Sequence, residues 1–327
     1  MLTVGPGSRH VLSVQRLESS PTRPRLEEVD WATPIDRSRL FLCETLTPLY
    51  YTPSYSGLAP EHRRRYNQLM GMLANELILR LETGFMDTAL AAVTRRDNAY
   101  AELADAVRRL HDDEVRHIEG WRKLNRLSEP GWYPTDRPRL LRVPQIVDRL
   151  AKAIARHPVA CPVILWIQLT QEERSIEISR RCLRMPPGAI EPRYAAVYGE
   201  HLRDEARHVQ LDCHLIERVY AAQSLTARRL TARVFRWVLA NLFLRPARSS
   251  VRVIEVLASE YPELRPRLPQ MARELRALVG SDAYQEMMYS RRTTPLTFDL
   301  FDAFPEFHSM STVLRAYAPA GSAGKFR

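Results

Sequence analysis

The pentapeptide DEVRH occupies Asp113–His117, and DEARH occupies Asp204–His208. On an α-helix, residues three apart share a face, so Glu114 lies beside His117 and Glu205 beside His208. Glu-x-x-His on each of two helices, joined by one Glu from each of two others, is the side-chain set of a dinuclear metal site inside a four-helix bundle. The competing reading makes these glutamates exposed residues paired with Arg one turn away. Two copies that share their Asp and Arg as well weigh against it.

The bundle needs two single glutamates. Glu82 is flanked at helical spacing by Ile78, Leu79, Phe85, Met86 and Ala89, an apolar stripe in which an unpaired carboxylate is costly. Glu76 leans towards Arg80 and a wetter side. A later helix offers Glu172, Glu173 and Glu177. Glu173 shares a face with Trp166, Leu169, Thr170 and Ile176, and the separations Glu82–Glu114 and Glu173–Glu205 are equal. Glu82 and Glu173 are therefore the expected partners. His201 stands four residues before Glu205 and lies within the same arc, so it is a candidate third imidazole. His111 and His214 read as ordinary partnered histidines. Metal-bound His usually donates its other ring N–H to a carboxylate. Asp113 and Asp204 are placed to serve the His of the opposite motif, with Arg116 and Arg207 holding them. Buried carboxylates repel one another and lose hydration, and two divalent cations cancel that charge.

The remaining pattern predicts an all-α chain, with a metal-binding bundle over about 61–244. Helical periodicity starts at Pro60, resumes near Asp97, and recurs after Pro144, from Pro162 to Arg184, from Pro192 to Ala222, over Leu225–Leu244 and near Met271–Val279. Residues 1–60 are irregular. A single helical domain is expected over 1–315, with a disordered tail at 316–327. The architecture is that of a ferritin-like bundle with added helices and extensions.

Composition excludes several functions. The formal net charge is +10, but the basic residues are nearly all Arg, dispersed among Asp and Glu, with no nucleic-acid motif. The four cysteines form no CxxC pair, which suits reduced thiols in the cytoplasm. The N-terminus has no apolar core of a secretory signal. The longest apolar run, ACPVILWIQL, is about half a membrane span. Leu81, Phe85, Leu169 and Trp166 are expected to line an apolar substrate pocket.

NELILRLE (Asn75–Glu82), DEVRH, EERSIEI (Glu172–Ile178) and above all HLRDEARH (His201–His208) resemble the p-aminobenzoate N-oxygenase-like di-iron arylamine oxygenases, over roughly Tyr66–Tyr220. The resemblance implies Glu82, Glu114, His117, Glu173, His201, Glu205 and His208 as ligands of two iron ions, with manganese as the alternative metal. It implies O2 as co-substrate and an amine, free or carrier-bound, oxidised to hydroxylamine, nitroso or nitro product. An external donor such as ferredoxin and its reductase, and a homodimer, complete the expected partners. Leu77 stands where the p-aminobenzoate enzyme has an Arg suited to a substrate carboxylate, which disfavours p-aminobenzoate itself. Hydroxylation or desaturation of carbon is the second reading. Iron storage is the third, opposed by chain length and by His201.

Overall fold

A computed structural model describes residues 26–95, 103–135, 137–245 and 248–319. Four long helices carry the architecture: α1 (Pro60–Leu81), α3 (Ala104–Ser128), α5 (Val163–Leu183) and α6 (Pro192–Leu215). Among the described residues there is no strand, only an isolated bridge between Leu40 and Ile190. Proline at the first helical position starts α1 and α6, where a missing N–H costs nothing. The Glu191 carboxylate accepts from the backbone N–H groups of Arg193 (2.8 Å) and Tyr194 (3.1 Å), capping α6.

The first rod does not run on as regular α-helix. At Glu82 it widens into a π turn, Glu82–Met86, and continues as α2 (Asp87–Arg95). The expected helix start near Asp97 lies outside the described residues, and α3 is described from Ala104. Shorter helices pack around the bundle: α4 (Gln145–Ala155), α7 (Leu225–Val238), α8 (Arg248–Glu260), α9 (Leu268–Ala277), α10 (Asp282–Met288) and α11 (Pro295–Ala303). No helix among the described residues is long and apolar enough to cross a membrane.

Two apolar clusters fill the interior. One gathers Leu110, Leu165, Trp166, Leu169, Val209 and Leu215 with Phe235, Phe301 and Phe307. The other gathers Leu69, Leu73, Trp121, Leu124, Tyr194 and Tyr198 with Phe41 and Leu257. Along α3, α5 and α6 the cluster changes partway, and the charged residues of the repeated motif fill the interval. A polar layer thus divides the core. The segment ahead of α1 packs on it closely: a Cβ on Gly71 would lie 2.6 Å from the Phe41 Cβ, so only glycine fits there.

Three expectations need correction. Trp166 and Leu169 are fully buried in packed core, the Trp166 ring lying 4.0 Å from that of Phe307 between centroids, and they line no open pocket. The Phe85 side chain lies outside the described residues. Tyr317 is buried in the same aromatic cluster and donates to Asp302 (2.9 Å), so order extends into the predicted tail, whose residues 320–327 lie outside the description. Glu76 is buried rather than wet. Its carboxylate accepts from the Tyr133 hydroxyl (2.7 Å) and from the backbone N–H groups of Arg139 (2.7 Å), Leu140 (3.0 Å) and Leu141 (2.6 Å). This cradle pins an irregular segment to α1. Removing one carboxylate strands several buried donors, each costing about 1–3 kcal/mol. Glu76→Ala should therefore lower unfolding free energy by at least ~3 kcal/mol in denaturant titration, and open residues 133–141 to limited proteolysis.

Candidate metal centre

Four helical segments converge on the polar layer. The π turn supplies Glu82, α3 supplies Glu114 and His117, α5 supplies Glu172, and α6 supplies His201, Glu205 and His208. Each of these seven side chains is buried. They fall into two groups, Glu82–His117–His201 and Glu114–Glu172–Glu205–His208, and within each group one potential ligand atom per residue lies within 4.8 Å of the others.

The imidazoles are oriented by a crossed pairing. His117 Nε2 faces Asp204 at 3.1 Å, and His208 Nε2 faces Asp113 at 3.3 Å, so each motif's Asp serves the other motif's His. The Nδ1 atoms point inward: that of His117 lies 3.6 Å from Glu205, and that of His208 lies 3.1 Å from Glu114. Arg207 donates to Asp113 (2.5 Å) and Asp204 (2.8 Å) together, and Arg116 pairs with Asp113. His201 Nε2 lies 3.0 Å from Glu205 and 3.7 Å from Glu82. The Trp121 ring backs His201 at 5.2 Å between centroids.

Close approach has not produced hydrogen bonds at the centre. Both oxygens of Glu114 and of Glu205, one of Glu82, the Nδ1 atoms of His117 and His208, and both nitrogens of His201 are buried with no hydrogen-bond partner. Native interiors leave few such groups. Lone pairs gathered without donors suit a cation at their common focus.

Electrostatics divides the protons of the metal-free centre. Burial pushes Glu82 and Glu172 well above the ordinary carboxyl range, helped by the charges of Glu114 and Glu205 respectively. Burial acts in the same sense on Glu205, but the His201 and His208 charges prevail and hold it at about 2. Glu114 is likewise held low against burial by the close approach of His117 and His208. Burial alone would depress His117, yet the bond to Asp204 and the nearby Glu114 carboxylate keep it at about 10. His208 is raised well above its usual value despite burial, by the Glu205 charge and the Asp113 bond, while burial takes His201 down to about 4.

One predicted ligand is displaced by a residue. The structure brings Glu172, not Glu173, into the centre. The Glu173 carboxylate turns instead to the first turn of α11, where it accepts from the backbone N–H groups of Leu296 and Thr297, each at 2.7 Å. The equal spacing of the two helix pairs carried no physical force, because their connections differ: one passes through a π turn and an extra helix, the other through a short turn after Leu183. Glu177 pairs with Arg180, Arg181 and Arg292 away from the centre, and His111 is exposed. Asp212 escaped the sequence reading. It is fully buried one turn beyond His208, its two oxygens have no hydrogen-bond partner, and burial pushes its carboxyl well up. Its spacing of seven from Glu205 places it on the same face.

A helical bundle, strandless among the described residues, that holds four buried carboxylates and three imidazoles at one level belongs to the ferritin-like class of carboxylate–histidine proteins. The family model described as p-aminobenzoate N-oxygenase AurF matches residues 10–293; the chain belongs to that family and is an oxygenase. No curated protein matches it.

The displaced glutamate gives a direct test. Glu172→Ala should reduce the metal bound per chain after iron loading. Glu173→Ala should leave metal content unchanged and instead lower stability by roughly 2 kcal/mol or more, since two buried backbone donors lose their acceptor. Elemental analysis with thermal melts distinguishes them, and the reverse pattern would restore Glu173 as ligand.

Proposed function

We propose that this chain is a di-iron N-oxygenase that uses O2 to oxidise the nitrogen of a small amine, an arylamine by class. The observation that carries the metal assignment is the set of buried, donor-free nitrogen and oxygen atoms at the centre of the bundle. Glu82, His117 and His201 would hold one ion; Glu114, Glu172, Glu205 and His208 would hold the other. Mixed imidazole and carboxylate donors suit iron, with manganese as the alternative. The bound pair supplies the redox chemistry towards O2. Family membership supports nitrogen as the atom oxidised.

The chain's own residues prepare that chemistry. Asp204 and Asp113 keep a proton on Nε2 of His117 and His208, leaving each Nδ1 free to face the centre. Arg207 and Arg116 neutralise the Asp pair, so those carboxylates orient imidazoles without adding net charge. Packed apolar layers on both sides of the centre exclude bulk water. Leu77 packs with Ile78 and Leu79 against the apolar core, so position 77 itself presents no guanidinium and suits a substrate without a carboxylate there.

Metal loading should follow pH in a defined way. In the metal-free protein His117, His208, Glu82 and Glu172 all hold their protons more tightly than the free side chains do, and each must lose its proton to bind a cation. Divalent ions then displace protons from the centre. Raised pKa values mean that protonation competes throughout the range below them, so affinity should rise with pH across 6–9. Calorimetry in buffers of different ionisation enthalpy should show net proton release on metal binding; zero release would contradict the assignment.

Function is tested by single turnover. Iron-loaded, reduced protein exposed to O2 with a panel of arylamines should give hydroxylamine, nitroso or nitro products by mass. Hydroxylation of a carbon position, with every amine unchanged, would transfer the assignment to carbon oxidation.

A further inference from the structure

Oxidising an amine to a hydroxylamine with O2 places one oxygen atom on nitrogen and reduces the other to water. That balance takes two electrons and two protons from outside the substrate. If the proposed function holds, the chain must receive electrons, and one surface is built to receive a carrier.

A cavity of about 510 Å³ opens between α8, α9 and the π turn that follows α7 (Leu239–Phe243). Arg142, Arg245, Arg248, Arg252 and Arg276 line it, with Asn241, Val251 and a single carboxylate, Glu255. These arginines come from four separate parts of the chain, so helical periodicity does not explain their meeting. Five guanidinium groups around one basin create a local positive field that attracts anionic surfaces and speeds their encounter.

Apolar residues extend from the basin's edges. Trp237 is 54% exposed and stands one turn before Asn241, whose side-chain amide donates to the Trp237 carbonyl at 2.9 Å. Val143 follows the basin residue Arg142, and the exposed Ile146 (72%) and Leu150 come next along α4. Exposed tryptophan and aliphatic side chains beside arginines have the composition of a protein–protein contact. A small polyanion would fill the basin but leave these residues unused.

The basin is tied to the metal centre's scaffold. The Arg142 backbone N–H donates to Ser249 in the first turn of α8 (2.9 Å), and the three residues before Arg142 are those held by Glu76. Glu76 lies six residues before Glu82 on one helical rod, roughly 9 Å of axial rise. α8 runs along α1, Arg65 pairing with Glu260 at 2.6 Å. The face therefore lies behind the helix that delivers Glu82.

We infer that this face docks a small acidic protein that donates electrons one at a time, an iron–sulfur carrier, with its carboxylates over the arginine basin and its apolar surface on Trp237 and Ile146. Two reduced carriers each lose one electron per oxygen atom transferred to nitrogen, and the two protons come from solvent.

The probe is a plant-type [2Fe–2S] ferredoxin, which is strongly acidic. Binding to the full chain is measured by calorimetry at low and high salt, on iron-loaded and on metal-free protein. Saturable binding that weakens with salt is expected for both forms. Arg245→Glu with Arg248→Glu should weaken it roughly tenfold or more, and Trp237→Ala should weaken it at every salt concentration. In stopped flow, both variants should slow reduction of the iron-loaded protein by ferredoxin while reduction by dithionite is unchanged. Equal binding of ferredoxin by wild type and variants overturns the inference. So does binding of pyrophosphate in the basin with no ferredoxin bound. Because metal-free protein is measured too, loss of the N-oxygenase reading would appear as absent metal or absent product, with the docking result standing on its own.

Discussion

Everything in this bundle answers to the cost of placing four carboxylates at one level of a dry interior. Hydration lost on burial must be replaced, either by protons or by cations, and the surrounding side chains are arranged around that demand. The crossed Asp–His pairing is the device that makes this work. Each aspartate lies beside a centre glutamate in sequence yet serves the imidazole of the opposite helix, and Arg207 bridges the two aspartates. The pentapeptide repeats as a unit because each of its polar members needs the other copy. Loss of any one member would leave a buried charge uncompensated on the facing helix.

That electrostatic demand also shapes the hydrophobic core. A continuous apolar interior would be the simpler way to pack four long helices. Instead two apolar clusters stand on either side of the polar layer, each with its own set of large aromatic rings. The clusters clamp the layer from above and below, which keeps seven side chains with few hydrogen bonds from relaxing towards solvent. Packing supplies the rigidity that the centre's own misaligned contacts do not.

Much of this was legible in the chain before any coordinates. The two pentapeptides, the alignment of His201 with Glu205, and the apolar stripe around Glu82 each followed from helical geometry, and the structure groups those residues together. What escaped has physical reasons. On α5 buried residues occur on all sides, Glu172 and Glu173 among them, so no periodicity separates a residue facing the centre from its neighbour. The competing partner of Glu173, the start of α11, lies more than a hundred residues away and leaves no local mark. The π turn at Glu82 changes the helix's pitch without changing its composition. The arginine basin assembles residues from Arg142 to Arg276, and only the fold brings them together. Trp166 and Leu169 carry the apolar character of a pocket lining, but core packing uses that character equally well.

The adjacency of Glu172 and Glu173 has a mechanical side. Successive residues on a helix point about 100° apart, so the two carboxylates grip different neighbours from one short length of α5. Glu172 reaches into the centre, while Glu173 holds two backbone N–H groups of α11. Any twist of α5 about its long axis that withdrew Glu172 would also wrench Glu173 from both donors. The C-terminal helix thus behaves as a detent against rotation, and a segment beyond the residues matched to the family sets the angular position of a glutamate at its heart.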